Sequence, residues 1–240
     1  MGDYYQGDMI VSKVRRKYGH EHNKNVDGFG IGGDMNTNEQ EPDKRWPEGT
    51  VVYQIRDDYN AKQMKIINDA LDEIANKSCI KFRAREGNEH AVVIANNGKQ
   101  CYSYVGYSTT DSSGEPIPFQ ELNIGLPCLA HGIIVHEMLH TLGFYHTQSA
   151  YNRDNYVKIE FDNIEEGKEL NFLKETNETV PDFGVDYDYG SIMHYGEYAF
   201  TMNEERTIVP LQEGAVIGQR EKMSDSDVLK LQRMYGCADS

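Results

Sequence analysis

Residues 136–146 read H-E-M-L-H-T-L-G-F-Y-H. His136 and His140 stand four apart, so on a helix they project from one face, about one turn apart. Glu137 follows the first histidine and reaches the same space. Gly143 lets the chain leave the helix in a backbone shape that other residues resist, and His146 can then return to the other two. Three imidazoles with positions left open make a catalytic zinc site; a structural one takes four protein ligands. The H-E-x-x-H core alone also fits an amphipathic helix with two surface histidines. The glycine and the third histidine at fixed offsets remove that reading. The helix is expected from near Ala130 to Gly143.

The rest of the chain sets bounds on this site. At 240 residues it fills one substantial domain, or two small lobes with a cleft between them. The formal net charge of −15 excludes the basic face of a nucleic-acid binder and reads as a solvated surface. No apolar run approaches the ~20 residues that span a membrane, and the start carries no signal-peptide h-region. The four cysteines, Cys79, Cys101, Cys128 and Cys237, form no C-x-x-C pair and stand away from the histidines. An even number so placed points to two disulfides rather than thiolate ligands, with three pairings open. The sequons Asn76-Lys77-Ser78 and Asn177-Glu178-Thr179 are compatible with secretion.

Organisation changes along the chain. Gly19 to Asn38 is rich in Gly, Asn, Asp and His and reads as extended or loosely held. Trp46-Pro47-Glu48-Gly49 signals a turn, and Thr50 to Ile55 a strand. Asn60 caps an expected helix whose apolar stripe is Met64, Ile67, Leu71 and Ile74. Short β-like runs follow at 80–82, 91–94, 102–105 and 121–124. From Thr147 to Val209 the pattern is irregular. Ser224 and Asp227 form an expected capping box, with Val228, Leu231 and Met234 at helical spacing and Gly236 closing the last helix.

Taken together, these residues resemble the astacin family of zinc endopeptidases from about Tyr5 to Cys237. The family signature H-E-x-x-H-x-x-G-F-x-H-E stands here as His136 to His146, with Phe144 in place. The run that follows it stands as Asn152-Arg153-Asp154-Asn155-Tyr156-Val157. Ser191-Ile192-Met193-His194-Tyr195 is similar to the Met-turn of metzincin proteases, with Met193 as its structural methionine. Ile217-Gly218-Gln219-Arg220 and the closing helix also match. The resemblance implies an α+β metzincin protease domain: an upper lobe with a twisted, mostly parallel five-stranded sheet and two helices, to about residue 146, and an irregular lower lobe, 147–240, with a C-terminal helix. It implies the pairs Cys79–Cys237 and Cys101–Cys128. Residues 1–35 become an inhibitory, largely extended propeptide and 36–240 the catalytic domain.

Site roles follow from the same resemblance. One zinc is held by His136, His140 and His146. Tyr5-Gln6-Gly7-Asp8 resembles the propeptide motif F-x-G-D, whose aspartate binds the zinc in the zymogen; this makes Asp8 a fourth ligand. Glu137 is the general base acting on zinc-bound water, and Tyr195 matches a switch tyrosine that hydrogen-bonds the oxyanion. Substrate adds as a strand along Tyr102, Ser103 and Tyr104. Arg220 prefers acidic residues after the cut. Implied partners are protein or peptide substrates, the chain's own propeptide as inhibitor and an activating trypsin-like protease, with Arg15-Arg16-Lys17 and Lys44-Arg45 as its targets and a mature start near Asn36–Asn38. The implied setting is secreted and extracellular.

Three positions depart from the family. Thr147 replaces the glutamate that receives the mature amino terminus, and Ala150 and Asn152 replace Arg and Asp. His20, His22, His90 and His131 read as surface or structural, and His194 as structural or bonded near the site. The competing class is a zinc-holding binding module without catalysis; the retained Glu137 speaks against it.

Overall fold

A computed structural model describes residues 5–11, 44–111, 113–178 and 180–237. The run Arg15-Arg16-Lys17, His20, His22, the segment from Gly19 and the start near Asn36–Asn38 lie outside the described residues, as does Thr179 of the second sequon.

The first half is built on one sheet. In chain order its strands are β1 (Met9–Ile10), β2 (Thr50–Ile55), β3 (Lys81–Ala84), β4 (Val92–Ala95), β5 (Cys101–Tyr104) and β6 (Gln120–Ile124). They lie in the order β1-β5-β6-β4-β2-β3. β3, β2, β4 and β6 run parallel and β5 antiparallel to β6, which gives the five expected strands. The sixth comes from the N-terminal segment. β1 pairs parallel with β5, Met9 opposite Ser103 and Ile10 opposite Tyr104, so the edge expected to receive substrate carries the chain's own strand. The central strand β4 is buried along its whole length, as a parallel strand covered on both faces must be.

Helix α1 (Ala61–Lys77) begins where Asn60 accepts the amides of Lys62 and Gln63 while the Gln63 side chain accepts the Asn60 amide. Its buried stripe is Ile67, Ala70, Leu71 and Ile74. Met64 does not belong to it: at 38% exposure it lies at the margin, one turn before the helix meets the core. α1 packs on α2 (His131–Thr141), and α2 also packs on β5 and β6. Ile134, Val135, Met138 and Leu139 of α2 join Val51, Ile94, Leu122 and Ile124 in the main core. Trp46, read from sequence only as part of a turn, is buried there too, its indole N–H on the Thr141 carbonyl at 2.9 Å.

After His146 regular structure thins to short 3-10 turns and one two-stranded ladder, β7 (Val157–Ile159) with β8 (Ile208–Pro210). A second core of Val157, Ile164, Phe172, Tyr195, Ile208 and Ile217 sits there. Side chains bind its backbone. The buried Arg153 guanidinium donates to the carbonyls of Gln148, at 3.0 Å, and of Phe172. The Tyr189 hydroxyl donates to the Tyr156 carbonyl at 2.7 Å. Helix α3 (Asp225–Tyr235) closes the chain with the expected capping box and a left-handed Gly236. The disulfide Cys79–Cys237 then ties it to the residues after α1, and Cys101–Cys128 joins β5 to the segment before α2. Both pairs are those the resemblance implies. Among the described residues, no helix is long and apolar enough to cross a membrane.

Candidate metal centre

The three histidines meet in the interior. Helix α2 stacks His136 over His140, and at Gly143 the backbone turns with φ +109°, a shape costly for any residue with a Cβ. The turn brings His146 back beneath the helix. The Nε2 atoms of His140 and His136 are 3.2 Å apart, those of His140 and His146 3.2 Å, and those of His146 and His136 3.3 Å. Four ligands at about 2.0 Å from a shared centre stand about 3.3 Å from one another, so these spacings fit a tetrahedral cation.

Each ring is turned so that Nε2 faces that centre. His136 Nδ1 donates to the Ile192 carbonyl and His140 Nδ1 to the Phe144 carbonyl, both at 2.8 Å. His146 Nδ1 donates to the side-chain oxygen of Gln6 at 3.1 Å. These bonds fix the tautomer that leaves the Nε2 lone pairs free for a metal. Burial acts in the same direction. It lowers His136 to about 4 and His140 well below its ordinary value, so both rings are neutral.

The fourth corner is Asp8. Its carboxylate lies 3.4 Å from His136 Nε2, 3.6 Å from His140 Nε2 and 3.3 Å from His146 Nε2. Residues 5–9 close a tight turn, Tyr5 and Met9 exchanging backbone hydrogen bonds at 2.9 and 3.0 Å. Gly7 takes φ +86° in this turn, and a Cβ there would meet the Phe200 ring at 2.9 Å. That glycine therefore admits the turn to the cleft. Burial works to raise the Asp8 carboxyl, but the surrounding imidazoles, His146 foremost, hold it well below the usual range. Asp8, His136, His140 and His146 are the cluster of potential metal ligands found among the described residues.

The remaining expected residues surround this cluster. Glu137 is buried, and its Oε2 has no hydrogen-bond partner among the described residues. Burial, then the Asp8 carboxylate, push its carboxyl well above the ordinary range. The Tyr195 hydroxyl donates to the Gln6 carbonyl, and its ring lies 4.5 Å from that of His146. Burial keeps this phenol protonated. Met193 is buried below, its carbonyl accepting the Thr147 amide at 3.1 Å. Arg220 Nη1 donates to the carbonyls of His194 and Gln219, both at 2.8 Å, and its charge is felt by Asp8, Tyr195 and Glu137. Along β5, the Tyr102 hydroxyl bonds Glu121, the Ser103 amide donates to the Asp8 carbonyl at 2.9 Å, and Tyr104 faces Ile10.

The other described histidines, His90, His131 and His194, have structural partners. His194 Nδ1 donates to the Tyr195 carbonyl at 2.7 Å, so its Nε2 accepts the Tyr187 hydroxyl at 2.6 Å. His131 pairs with Glu73, and His90 stacks on Trp46. Gln6 and Gln148 are buried at the site although spacing does not single them out. Gln148 Oε1 accepts the Tyr195 amide at 3.1 Å. Gln6 occupies the variable position of the four-residue motif, where only the structure reveals a role.

This geometry defines a zinc peptidase, and comparison with known proteins places it more narrowly. Residues 38–236 match the family described as Astacin, a peptidase family. Zinc metalloproteinase nas-15 of Caenorhabditis elegans is 38% identical over 80% of this chain, which spans 32% of that protein's length. Low choriolytic enzyme of Oryzias latipes is 37% identical over 99% of this chain and 79% of its own. Among solved structures, high choriolytic enzyme 1, a hatching enzyme zinc-protease from Oryzias latipes, superposes with a TM-score of 0.71 at 32% identity, covering 81% of this chain and 94% of its own. The chain belongs to the astacin family of zinc metalloendopeptidases, and its three histidines form the zinc site typical of that family.

Proposed function

We propose that this chain is the latent precursor of a secreted endopeptidase, held inactive by residues 1–35, with 36–240 as the catalytic domain. The observation that carries the reading is the Asp8 carboxylate, 3.3 to 3.6 Å from all three histidine nitrogens. A carboxylate there fills the open position that catalysis needs. The same segment lies on the β5 edge as a strand and holds the Tyr195 hydroxyl, so one short stretch covers the metal position, the peptide-binding edge and a catalytic donor. Two disulfides support an oxidising, extracellular setting.

Release of the segment frees these groups for hydrolysis. When bound, the zinc supplies Lewis acidity, which lowers the pKa of a water and polarises the scissile carbonyl. Glu137, buried and with an oxygen unpartnered among the described residues, takes the proton from the attacking water and delivers it to the leaving nitrogen. Tyr195, no longer bonded to Gln6, donates to the developing oxyanion. The substrate backbone takes the edge at Tyr102, Ser103 and Tyr104 that β1 vacates. Arg220 favours Asp or Glu after the cut, since its charge reaches the site and its free guanidinium nitrogens can pair a carboxylate. A trypsin-like activator would take Arg15-Arg16-Lys17 or Lys44-Arg45 as its target; at the latter it must release the Lys44 carbonyl from the Tyr107 amide, bonded at 2.6 Å.

The test is limited trypsin treatment followed by assay of an internally quenched peptide. Activity is expected after cleavage, abolished by a chelator and absent in Glu137→Gln. Persistent silence after verified removal of the segment would favour the binding-module reading. A peptide-library profile without acidic preference would remove the role given to Arg220.

A further inference from the structure

Asp227 is the third residue of α3, and as a capping-box acid it needs to serve only its own helix. Its amide donates to the Ser224 hydroxyl, and its Oδ2 accepts the Ser224 amide, both at 3.0 Å. The carboxylate reaches further than that. Oδ2 also accepts the Ile192 amide at 2.9 Å, and Oδ1 accepts the Ser191 hydroxyl at 2.6 Å. The residue is 4% exposed. A carboxylate so buried is tolerated because these donors replace water around it.

Both partners lead to zinc ligands. Ile192, whose amide donates to Asp227, accepts His136 Nδ1 on its own carbonyl at 2.8 Å. The Ser191 oxygen accepts the Thr147 hydroxyl at 2.9 Å and the Met193 amide at 3.1 Å. Thr147 directly follows His146, and its amide donates to the Met193 carbonyl at 3.1 Å. One buried carboxylate is thus connected to the His136 ring through the backbone of a single residue, Ile192, and to the residue after His146 through two hydroxyls.

We propose that Asp227 is a positioning residue for the zinc ligands: it anchors the Ile192 amide and so fixes the backbone whose next carbonyl aims His136, and through Ser191 and Thr147 it sets the segment carrying His146. The threonine that departs from the family pattern at 147 is part of this connection, since its hydroxyl donates to Ser191.

The test measures zinc affinity of the full chain by competition with a chromogenic chelator, with circular dichroism to verify folding. Loss of a hydrogen-bond partner behind the ligands weakens zinc roughly 10- to 100-fold, and Asp227→Ala is expected in that range. Asp227→Asn can accept the Ile192 amide and donate to Ser191, so it is expected within about threefold of the parent. Leu231→Ala serves as the control. Leu231 is fully buried on α3 and outside the connection, so its variant should melt earlier and bind zinc as tightly as the parent. Parent-like affinity in Asp227→Ala, or equal weakening in Leu231→Ala, would overturn the proposal. If Asp227→Ala does not fold, Ser191→Ala decides: an affinity loss of about threefold or more supports the connection, and unchanged affinity refutes it.

Discussion

The sheet region, 44–145, and the region from His146 to β8 reach a stable backbone by different means. In the first, ladder and helix hydrogen bonds satisfy most backbone groups, and apolar side chains fill the space between layers. In the second, short turns and one ladder pair much of the backbone, and buried side chains join its distant parts: Arg153 serves two carbonyls, Tyr189 one and Gln148 the Tyr195 amide. The active site draws on both. His136, Glu137 and His140 come from helix α2, whereas His146, Met193, Tyr195 and Arg220 come from irregular chain. The regular half carries the proposed base, Glu137, and two of the histidines on one helix. The irregular half supplies groups that meet the N-terminal segment, Gln6 above all.

Substitutions can sharpen that contrast, or break it. The largest effect is expected at the base. In the cleaved enzyme, Glu137→Gln should lower kcat by about 10⁴-fold with zinc retained, whereas Tyr195→Phe, from the irregular half, should cost about 10²-fold. Steady-state kinetics of both variants would check the order, and a reversed order would break the division of labour. Next is Arg153→Ala, which leaves the Gln148 and Phe172 carbonyls without their donor. Urea unfolding should show a loss of about 3 kcal/mol. A loss below about 1 kcal/mol would mean that side chains do not carry this region.

The third concerns pH. Burial holds His194 neutral, at about 4 against an ordinary 6.5. A base depressed in the folded state contributes stability that is fully present above 6.5 and is lost as pH falls from there through 4. The contribution is about 3 kcal/mol, so unfolding of the parent should weaken across that window while His194→Gln shows a flatter profile. Equal slopes would remove His194 as a source. The smallest effect belongs to the regular half. Asn60→Ala removes a cap from α1 and should cost about 1 kcal/mol in the same unfolding assay, since the helix keeps its packing.

The same contrast decides what could be read without coordinates. Helices α1 and α3 announce themselves by caps and spacing, α2 by its histidine spacing and closing glycine, and the strands by short apolar runs, because local signals suffice for regular elements. Met64 was misplaced since periodicity fixes a face but not how far along the helix the core extends. The zinc ligands were legible because Gly143 compresses their geometry into eleven residues. Arg153 with Phe172, Tyr156 with Tyr189 and Gln6 with His146 were not, since each joins distant residues through side chains that carry no period. Asp227 read as a helix cap, and only the fold shows both its oxygens on the Met-turn.

The most direct test of latency uses Asp8→Ala in the uncleaved chain. Hydrolysis of a quenched peptide by the uncleaved variant should rise about 10-fold above that of the uncleaved parent, a difference of about 1.4 kcal/mol, and stay below that of the cleaved enzyme, because β1 still covers the β5 edge and Gln6 still holds Tyr195. An uncleaved Asp8→Ala protein as silent as the parent, with its zinc bound, would contradict the assignment of Asp8 as the group that closes the site.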